Sequence, residues 1–296
     1  HTLQTGRRRL CEKESGKQTM ITKDEILLYH GSGRILLSGE DFIYLLPHPA
    51  LRAWISNYTI TFPGENAMPD HYTVIPHGSA TLTFCADEKG ICSNLFGPAS
   101  LSCRVGGQAN RFGMLFIIEF QPAGLSALTG GGQKELLDKT FSFALMDQGL
   151  NKSMTEILES SVSIQELADR ADRLFLSKLI HVCPPQLHAA VRSIIENAGN
   201  ITLKELSASV FYSERHLNRV FDRYLGMGVK TFSRLVRINR AVRLLQNPGN
   251  HVIDVCTLSG FYDLPHFIHD FKSVCGLTPG EYRMRMSDFY NEIAKF

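Results

Sequence analysis

The chain has 296 residues, of which 44% are hydrophobic, so it is long enough for about two domains with packed cores and is not a disordered chain. No apolar run approaches the ~18–20 residues of a membrane-spanning helix, and no secretory signal follows the basic start. We therefore expect a cytoplasmic protein with no membrane partner. The net charge is +2, but residues 181–296 carry 14 Lys and Arg against 10 Asp and Glu, whereas residues 1–180 carry 17 against 19. A basic C-terminal part suits nucleic-acid binding, although a difference of this size decides little.

Seven cysteines are spread along the chain, an odd number with no C-x-x-C pair. This pattern predicts reduced cysteines in a cytosolic protein rather than a disulfide framework. The cysteines are Cys11, Cys85, Cys92, Cys103, Cys183, Cys256 and Cys275.

The first 39 residues are expected to form an N-terminal extension that is partly disordered, because residues 1–19 show no periodicity. Between residues 40 and 145, short apolar runs are separated by Gly, Pro and Asn, which is typical of a β-barrel or sandwich. The predicted strands are 58–62, 72–75, 80–84, 91–96 and 113–120.

After Pro122 the pattern becomes helical. Ser153 and Ser163 each precede a Glu by three residues, the spacing of a capping box, and so do Thr202 and Thr278 further along the chain. A single apolar stripe from Ile164 to Leu179 predicts a helix that packs on its own domain or on the same helix of a second subunit. Pro184 and Pro185 end this region, since proline breaks a helix. We therefore expect a domain at 40–182 and an all-α domain at 186–290, which together make an α+β multidomain chain.

Two stretches of the all-α part, fifty residues apart, share one plan. Each has a short amphipathic helix, a tight break containing Phe-Tyr, and a second helix that opens on a capping residue. The first unit runs from Leu203 to Phe221, and the second from Ile253 to Phe271. A helix joined by a tight turn to a second helix is how many proteins place a helix in the DNA major groove.

In the first unit, Arg215, Asn218 and Arg219 are neighbours on the outer face of the second helix. Arg can bond guanine and Asn can bond adenine, each through two hydrogen bonds. The alternative is an ordinary solvated face, which the preceding helix and turn make less attractive.

In the second unit, the corresponding residues are Leu264, Pro265, His266 and His269. Two histidines at i, i+3 also match a metal-ligand spacing, but no Cys or carboxylate set completes a site, so no metal is expected. The candidates for phosphate contacts are Ser213, Lys272 and Arg283.

Residues 187–283 resemble the DNA-binding domain of the AraC/XylS family of bacterial transcription regulators. The resemblance rests on Ser213, Arg215, Leu217, Arg219, Phe221, Gly226, Arg237, Ala241, Leu244, Leu245, Gly260, Phe261, His266, Phe267, Phe271, Lys272, Gly276, Leu277, Thr278, Pro279, Tyr282 and Arg283. It implies two helix-turn-helix units joined by a long helix, with base contacts from the seven residues named above in the two second helices. The family often has Arg in place of His269, so the second helix is expected to contribute mainly backbone contacts.

The N-terminal part is similar, over fewer residues, to the cupin-like sensor domain of one branch of these regulators. The similarity rests on the segments 46–51 (LPHPAL), 74–78 (VIPHG), 96–98 (FGP) and 120–124 (FQPAG). A metal-dependent cupin enzyme needs a His-x-His pair with a nearby Glu, whereas His71 and His77 are six residues apart. We therefore expect neither catalysis nor a cofactor.

The sequence thus predicts a regulator that binds promoter DNA and is controlled by a small effector in its N-terminal domain. RNA polymerase and a second copy of the chain are further candidate partners. Two alternatives stay open: a metal-dependent cupin-type enzyme with a helical accessory module, and a DNA binder that needs no ligand.

Overall fold

The computed structural model describes residues 21–31, 33–64, 68–179 and 183–290. Of the predicted extension over residues 1–39, residues 1–20 and residue 32 lie outside these described residues. The N-terminal region (residues 21–179) is built on antiparallel strands with flanking helices, and the C-terminal region (residues 183–290) is mainly helical. The predicted α+β class is therefore confirmed.

In the N-terminal region, most of the strands come before most of the helices. Its strands are β1 (Ile35–Ser38), β2 (Phe42–Leu45), β3 (Ile55–Thr61), β4 (Thr73–Val74), β5 (Thr81–Asp87), β6 (Gly90–Phe96), β7 (Cys103–Arg104), β8 (Met114–Phe120) and β9 (Thr140–Ser142). Its helices are α1 (Glu25–Leu28), α2 (Gly124–Thr129), α3 (Phe143–Met146), α4 (Gln148–Ser160) and α5 (Ile164–Lys178).

The C-terminal region continues with helices and ends in a short strand. Its elements are α6 (Pro185–Glu196), α7 (Leu203–Ser209), α8 (Glu214–Leu225), α9 (Val229–Leu245), α10 (Val252–Leu258), α11 (Leu264–Cys275), α12 (Pro279–Met284) and β10 (Phe289–Tyr290).

Seven strands form one antiparallel sheet in the order β1-β2-β3-β8-β5-β6-β9. A second, three-stranded sheet has the order β10-β4-β7, in which β10 runs parallel to β4. The end of the C-terminal region therefore pairs with the N-terminal region. All five predicted strands are present, whereas β1, β2, β7, β9 and β10 were missed, and β10 lies in the part that was predicted to be all-α. Strand β1 lies before residue 40, where the domain was predicted to start, and it pairs with β2.

The large sheet has two chemically different faces because its side chains alternate. One face carries buried apolar residues such as Tyr58 and Phe116, whose ring centroids are 5.5 Å apart. Helix α5 packs on this face through Phe175, so its apolar stripe is buried within its own domain. The other face carries buried polar residues, including Asn57 directly opposite Glu119.

One predicted cap was wrong. Ser153 lies inside α4 and does not cap it. The cap of α4 is Asp147, whose side chain accepts a hydrogen bond from the N–H of Leu150 at 2.8 Å. The Asp147 cap lies six residues before the predicted one, so the Ser153–Glu156 spacing is only an accident of helix composition. The predicted cap at Ser163 is present at the start of α5.

The two regions make direct contacts with each other. Asn239 on α9 donates from Nδ2 to the carbonyl oxygen of Pro76 at 2.8 Å, and Asn239 is 1% exposed. The N–H of Gln133 donates to the carbonyl oxygen of Arg223 near the end of α8 at 2.8 Å. The N–H of Ser102 donates to the carbonyl oxygen of Val274 near the end of α11 at 2.9 Å. The N-terminal region therefore contacts α8, α9 and α11 together.

Candidate nucleic-acid interface

The first helix-turn-helix unit consists of α7 and α8. Thr202 and Glu205 form a capping box at the start of α7, as predicted. Ser213 caps α8, and its Oγ accepts from the N–H of His216 at 3.2 Å. The turn between the helices closes with a hydrogen bond from the N–H of Tyr212 to the carbonyl oxygen of Ser207 at 3.0 Å.

The second unit consists of α10 and α11, and Asp263 caps α11 by accepting from the N–H of His266 at 2.8 Å. Its turn closes with the equivalent bond from the N–H of Phe261 to the carbonyl oxygen of Cys256 at 3.1 Å. Tyr212 therefore corresponds to Phe261. The second turn is one residue longer, and Tyr262 is the extra residue.

This register corrects the sequence interpretation of the two Phe-Tyr breaks as equivalent. Phe211 corresponds to Gly260, and both have left-handed backbone angles, φ +57° and +79°. The Phe211 side chain is 94% exposed, whereas the ring of Phe261 is buried and lies over the guanidinium of Arg237 at 5.3 Å. Both turns contain the dipeptide Phe-Tyr, but the dipeptide occupies different backbone positions in the two turns.

The outward face of α8 carries two of the predicted base-contacting residues in accessible positions. Arg215 and Arg219 are exposed, while Leu217 and Phe221 on the opposite face are buried. The guanidinium of Arg219 donates to Nδ1 of His216 at 3.0 Å, and the His216 ring lies edge-on to Tyr212 at 4.4 Å. These contacts hold Arg219 along the N-terminal half of α8.

Asn218 is placed differently. It is half-buried, its Nδ2 donates to the carbonyl oxygen of Glu214 at 3.1 Å, and its Oδ1 accepts from the N–H of Val229 at 3.2 Å. Both ends of the amide thus connect α8 to the start of α9. A bidentate contact with adenine needs both ends, so these two bonds would have to break first.

The outward face of α11 is less basic, as its sequence indicates. Pro265, His266 and His269 are exposed, whereas Leu264 is half-buried and packs against the core of the C-terminal region. His266 Nε2 lies 3.5 Å and His269 Nδ1 lies 3.6 Å from the carboxylate of Asp270, which is 6% exposed. The two histidines therefore share one acidic neighbour on their own helix.

The three predicted phosphate contacts also differ in accessibility. Ser213 and Lys272 are exposed. Arg283 is half-buried, and its guanidinium donates to the carbonyl oxygen of Asn250, which ties α12 to the loop before α10. Arg283 is therefore at least in part a structural residue.

Two exposed features of the turns were not identified from the sequence. Phe211 and Tyr262 are 94% and 98% exposed. Tyr262 directly precedes the cap Asp263, whereas Phe211 lies two residues before the cap Ser213, so the sequence gives no common signal for the two exposed side chains.

No group of three or more His, Cys, Asp or Glu side chains that could hold a metal ion occurs within residues 21–31, 33–64, 68–179 and 183–290. His77, one of the two histidines that were compared with the cupin motif, is buried. Its Nδ1 lies 2.9 Å from Ser79 Oγ and its Nε2 lies 3.6 Å from Glu119 Oε2. None of the helices in the described part of the chain combines the length and apolarity needed to cross a bilayer.

Two family matches divide the chain in the same way as its fold. Residues 206–285 match a family described as a helix-turn-helix domain, and residues 44–142 match a domain of unknown function (DUF6597). The first match spans α8 to α11 entirely, and the second covers β3 to β8 and most of the large sheet.

The curated relatives are similar to part of this chain. The HTH-type transcriptional regulator ArgR of Pseudomonas aeruginosa is 26% identical over 157 residues, which are 53% of this chain and 48% of the relative. The HTH-type transcriptional regulator GbdR of the same species is 30% identical over 112 residues, 38% of this chain and 30% of the relative. The chain thus matches about half or less of these relatives.

Solved structures of ToxT from Vibrio cholerae are also similar in part. One of them aligns with 82% of this chain and 97% of its own, with 11% identity and a TM-score of 0.39.

Proposed function

We propose that this chain, whose C-terminal region contains a helix-turn-helix domain of the AraC/XylS type, is a bacterial transcription regulator that binds promoter DNA. The observation that carries the proposal is the exposed pair Arg215 and Arg219 on α8, the second helix of a capped helix-turn-helix unit. Arg is the residue that most often reads guanine in the major groove, through O6 and N7.

The second unit supports a different contribution to DNA binding. Helix α11 has the same cap and scaffold as α8 but presents Pro265, His266 and His269 outward. We infer that α11 mainly contacts the DNA backbone and sets the spacing, together with Lys272. Backbone contacts fix the register of a protein on DNA and carry no direct sequence information.

Footprinting on DNA from the neighbourhood of the gene tests the proposal. Two recognition helices about 34 Å apart should protect an asymmetric site of about 17–20 base pairs. Affinity for this site and for random DNA of equal length is then measured for Arg215→Ala and Arg219→Ala. Each substitution should cost ~1–3 kcal/mol on the specific site and less on random DNA.

Lys89→Ala is the matched control, because Lys89 is an exposed positive charge at the tip of the β5–β6 hairpin. It should leave both affinities unchanged. Equal losses on specific and random DNA for Arg215→Ala and Arg219→Ala would show that these side chains contact only phosphates. A chain that protects no site would refute the regulator proposal.

We further propose that the N-terminal region controls DNA binding in response to a small effector. Its supporting observation is that this region holds the ends of both candidate recognition helices, through Gln133 at Arg223 and Ser102 at Val274. An effector alters DNA affinity only if it binds one arrangement of these regions better than another. The contacts therefore offer a direct mechanical route between the two regions.

Titration of the footprinted DNA with and without candidate small molecules tests this second part. At least one ligand should shift the binding isotherm. Gln133→Ala should reduce the shift, because it removes the side-chain Nε2 that donates to the carbonyl oxygen of Tyr224 near the end of α8. Identical isotherms for every ligand would favour the DNA binder that needs no effector, while leaving the DNA-binding proposal intact.

A further inference from the structure

Two cysteines face each other across the β5–β6 hairpin. Cys85 on β5 and Cys92 on β6 are direct partners in the antiparallel register, and Asp87 opposite Gly90 closes the hairpin two positions away. Directly opposed residues have Cα atoms ~4.5–5.5 Å apart, within the 4.4–6.8 Å range of disulfides. Their side chains also lie on the same face of the sheet.

The two thiols are in contact but differ in accessibility. The thiol of Cys85 interacts with that of Cys92 and donates to Oγ1 of Thr83 at 4.0 Å. Cys85 is only 6% exposed, whereas Cys92 is exposed. An oxidant in solution therefore reaches Cys92, and Cys85 is the thiol directly opposite it on the neighbouring strand.

We propose that Cys85 and Cys92 form a reversible cross-strand disulfide when the chain meets a low-molecular-weight disulfide such as oxidised glutathione. This inference concerns the N-terminal region alone and does not depend on DNA binding. Opposed Cβ atoms in a sheet are usually ~4.5–5.5 Å apart, slightly more than a relaxed disulfide prefers. The bond should therefore be readily reduced, which suits a reversible modification.

The reaction proceeds by two thiol–disulfide exchanges. The Cys92 thiolate attacks one sulfur of oxidised glutathione, so a mixed disulfide forms and one glutathione thiolate leaves with the proton lost by Cys92. The Cys85 thiol then loses its proton to water, and its thiolate attacks Sγ of Cys92 and expels the second glutathione. Two electrons pass from the protein dithiol to the oxidised glutathione, which becomes two reduced glutathione molecules.

The rate of the second exchange should depend steeply on pH. Burial, together with the neighbouring Cys92, raises the pKa of the Cys85 thiol to about 12, although Thr83 and Arg111 act to lower it. Because the thiolate is the nucleophile, the rate of ring closure should rise about tenfold per unit between about pH 7 and pH 9.

Cys103 provides an internal control. It is exposed like Cys92, but its partner in the β4–β7 register is Val74. The full chain is incubated with oxidised glutathione, quenched in acid, alkylated and mapped by mass spectrometry. Cys103 should accumulate as a mixed disulfide, whereas mixed disulfide on Cys92 should be about tenfold lower because the adjacent thiol displaces it. Dithiothreitol should restore both.

Substitutions make the result decisive. In Cys85→Ala, which keeps a small apolar side chain, Cys92 should accumulate mixed disulfide to the level of Cys103. In Cys92→Ser, Cys85 should stay reduced. Mixed disulfide at equal levels on Cys92 and Cys103 in the unmodified chain, with no Cys85–Cys92 peptide, would overturn the proposal.

Discussion

Phe211 and Gly260 occupy the same backbone position in the two helix-turn-helix units, and both are left-handed, with φ +57° and +79°. A left-handed conformation costs an ordinary residue roughly 1–2 kcal/mol, whereas glycine adopts it freely. The Phe211 side chain, 94% exposed, packs too little to offset that cost.

Phe211→Gly should therefore stabilise the full chain, by about 1 kcal/mol. Urea unfolding measures the change. Gly260→Ala is the opposite control, because a Cβ at Gly260 would lie 2.1 Å from Oδ1 of Asn200 and should destabilise the chain. If Phe211→Gly destabilises the chain instead, the phenyl ring of Phe211 makes a stabilising contact despite its exposure.

The main effect of Asn218→Ala should be a loss of stability rather than a change in DNA sequence preference. The amide connects Glu214 to Val229, and loss of two hydrogen bonds costs about 1–3 kcal/mol. Arg219→Ala on the same helix should leave stability nearly unchanged, since Arg219 is exposed. If Asn218→Ala instead keeps its unfolding midpoint and loses preference for the footprinted site, Asn218 reads a base.

Lys272→Ala should weaken binding to specific and random DNA by the same factor, because an exposed lysine at this place is expected to neutralise a phosphate. The slope of log affinity against log salt concentration should also fall by about one. Affinities measured at several salt concentrations give both quantities. A loss confined to the specific site would show that Lys272 reads sequence.

Two contacts between the N-terminal and C-terminal regions, one buried and one exposed, should contribute differently to stability. Asn239→Ala removes a buried donor to Pro76 and should destabilise the chain by about 1–3 kcal/mol. Lys134→Ala removes an ion pair with Asp222 at 2.7 Å that is largely exposed, so its effect on stability should be much smaller. Equal effects in thermal unfolding would indicate that the two regions separate before either one unfolds.

Local patterns in the sequence predicted most of the secondary structure. The capping boxes at Thr202 and Thr278 and the caps at Ser213 and Asp263 are present because they depend on residues three apart along the chain. The four seven-residue strands β3, β5, β6 and β8 also followed from local apolar runs. Short edge strands such as β7 and β9 were missed because pairing with a distant strand, not composition, makes them strands.

The sequence by itself determined the two-part organisation, the two helix-turn-helix units and the outward position of Arg215 and Arg219, since helical periodicity fixes which side of α8 is apolar. Only the tertiary structure decided which turn residues correspond, that Asn218 is bonded within its own domain, and that Gln133 and Ser102 meet the ends of α8 and α11. These facts depend on contacts between residues far apart in the chain. No local pattern encodes such contacts, because they form only when separate elements pack together.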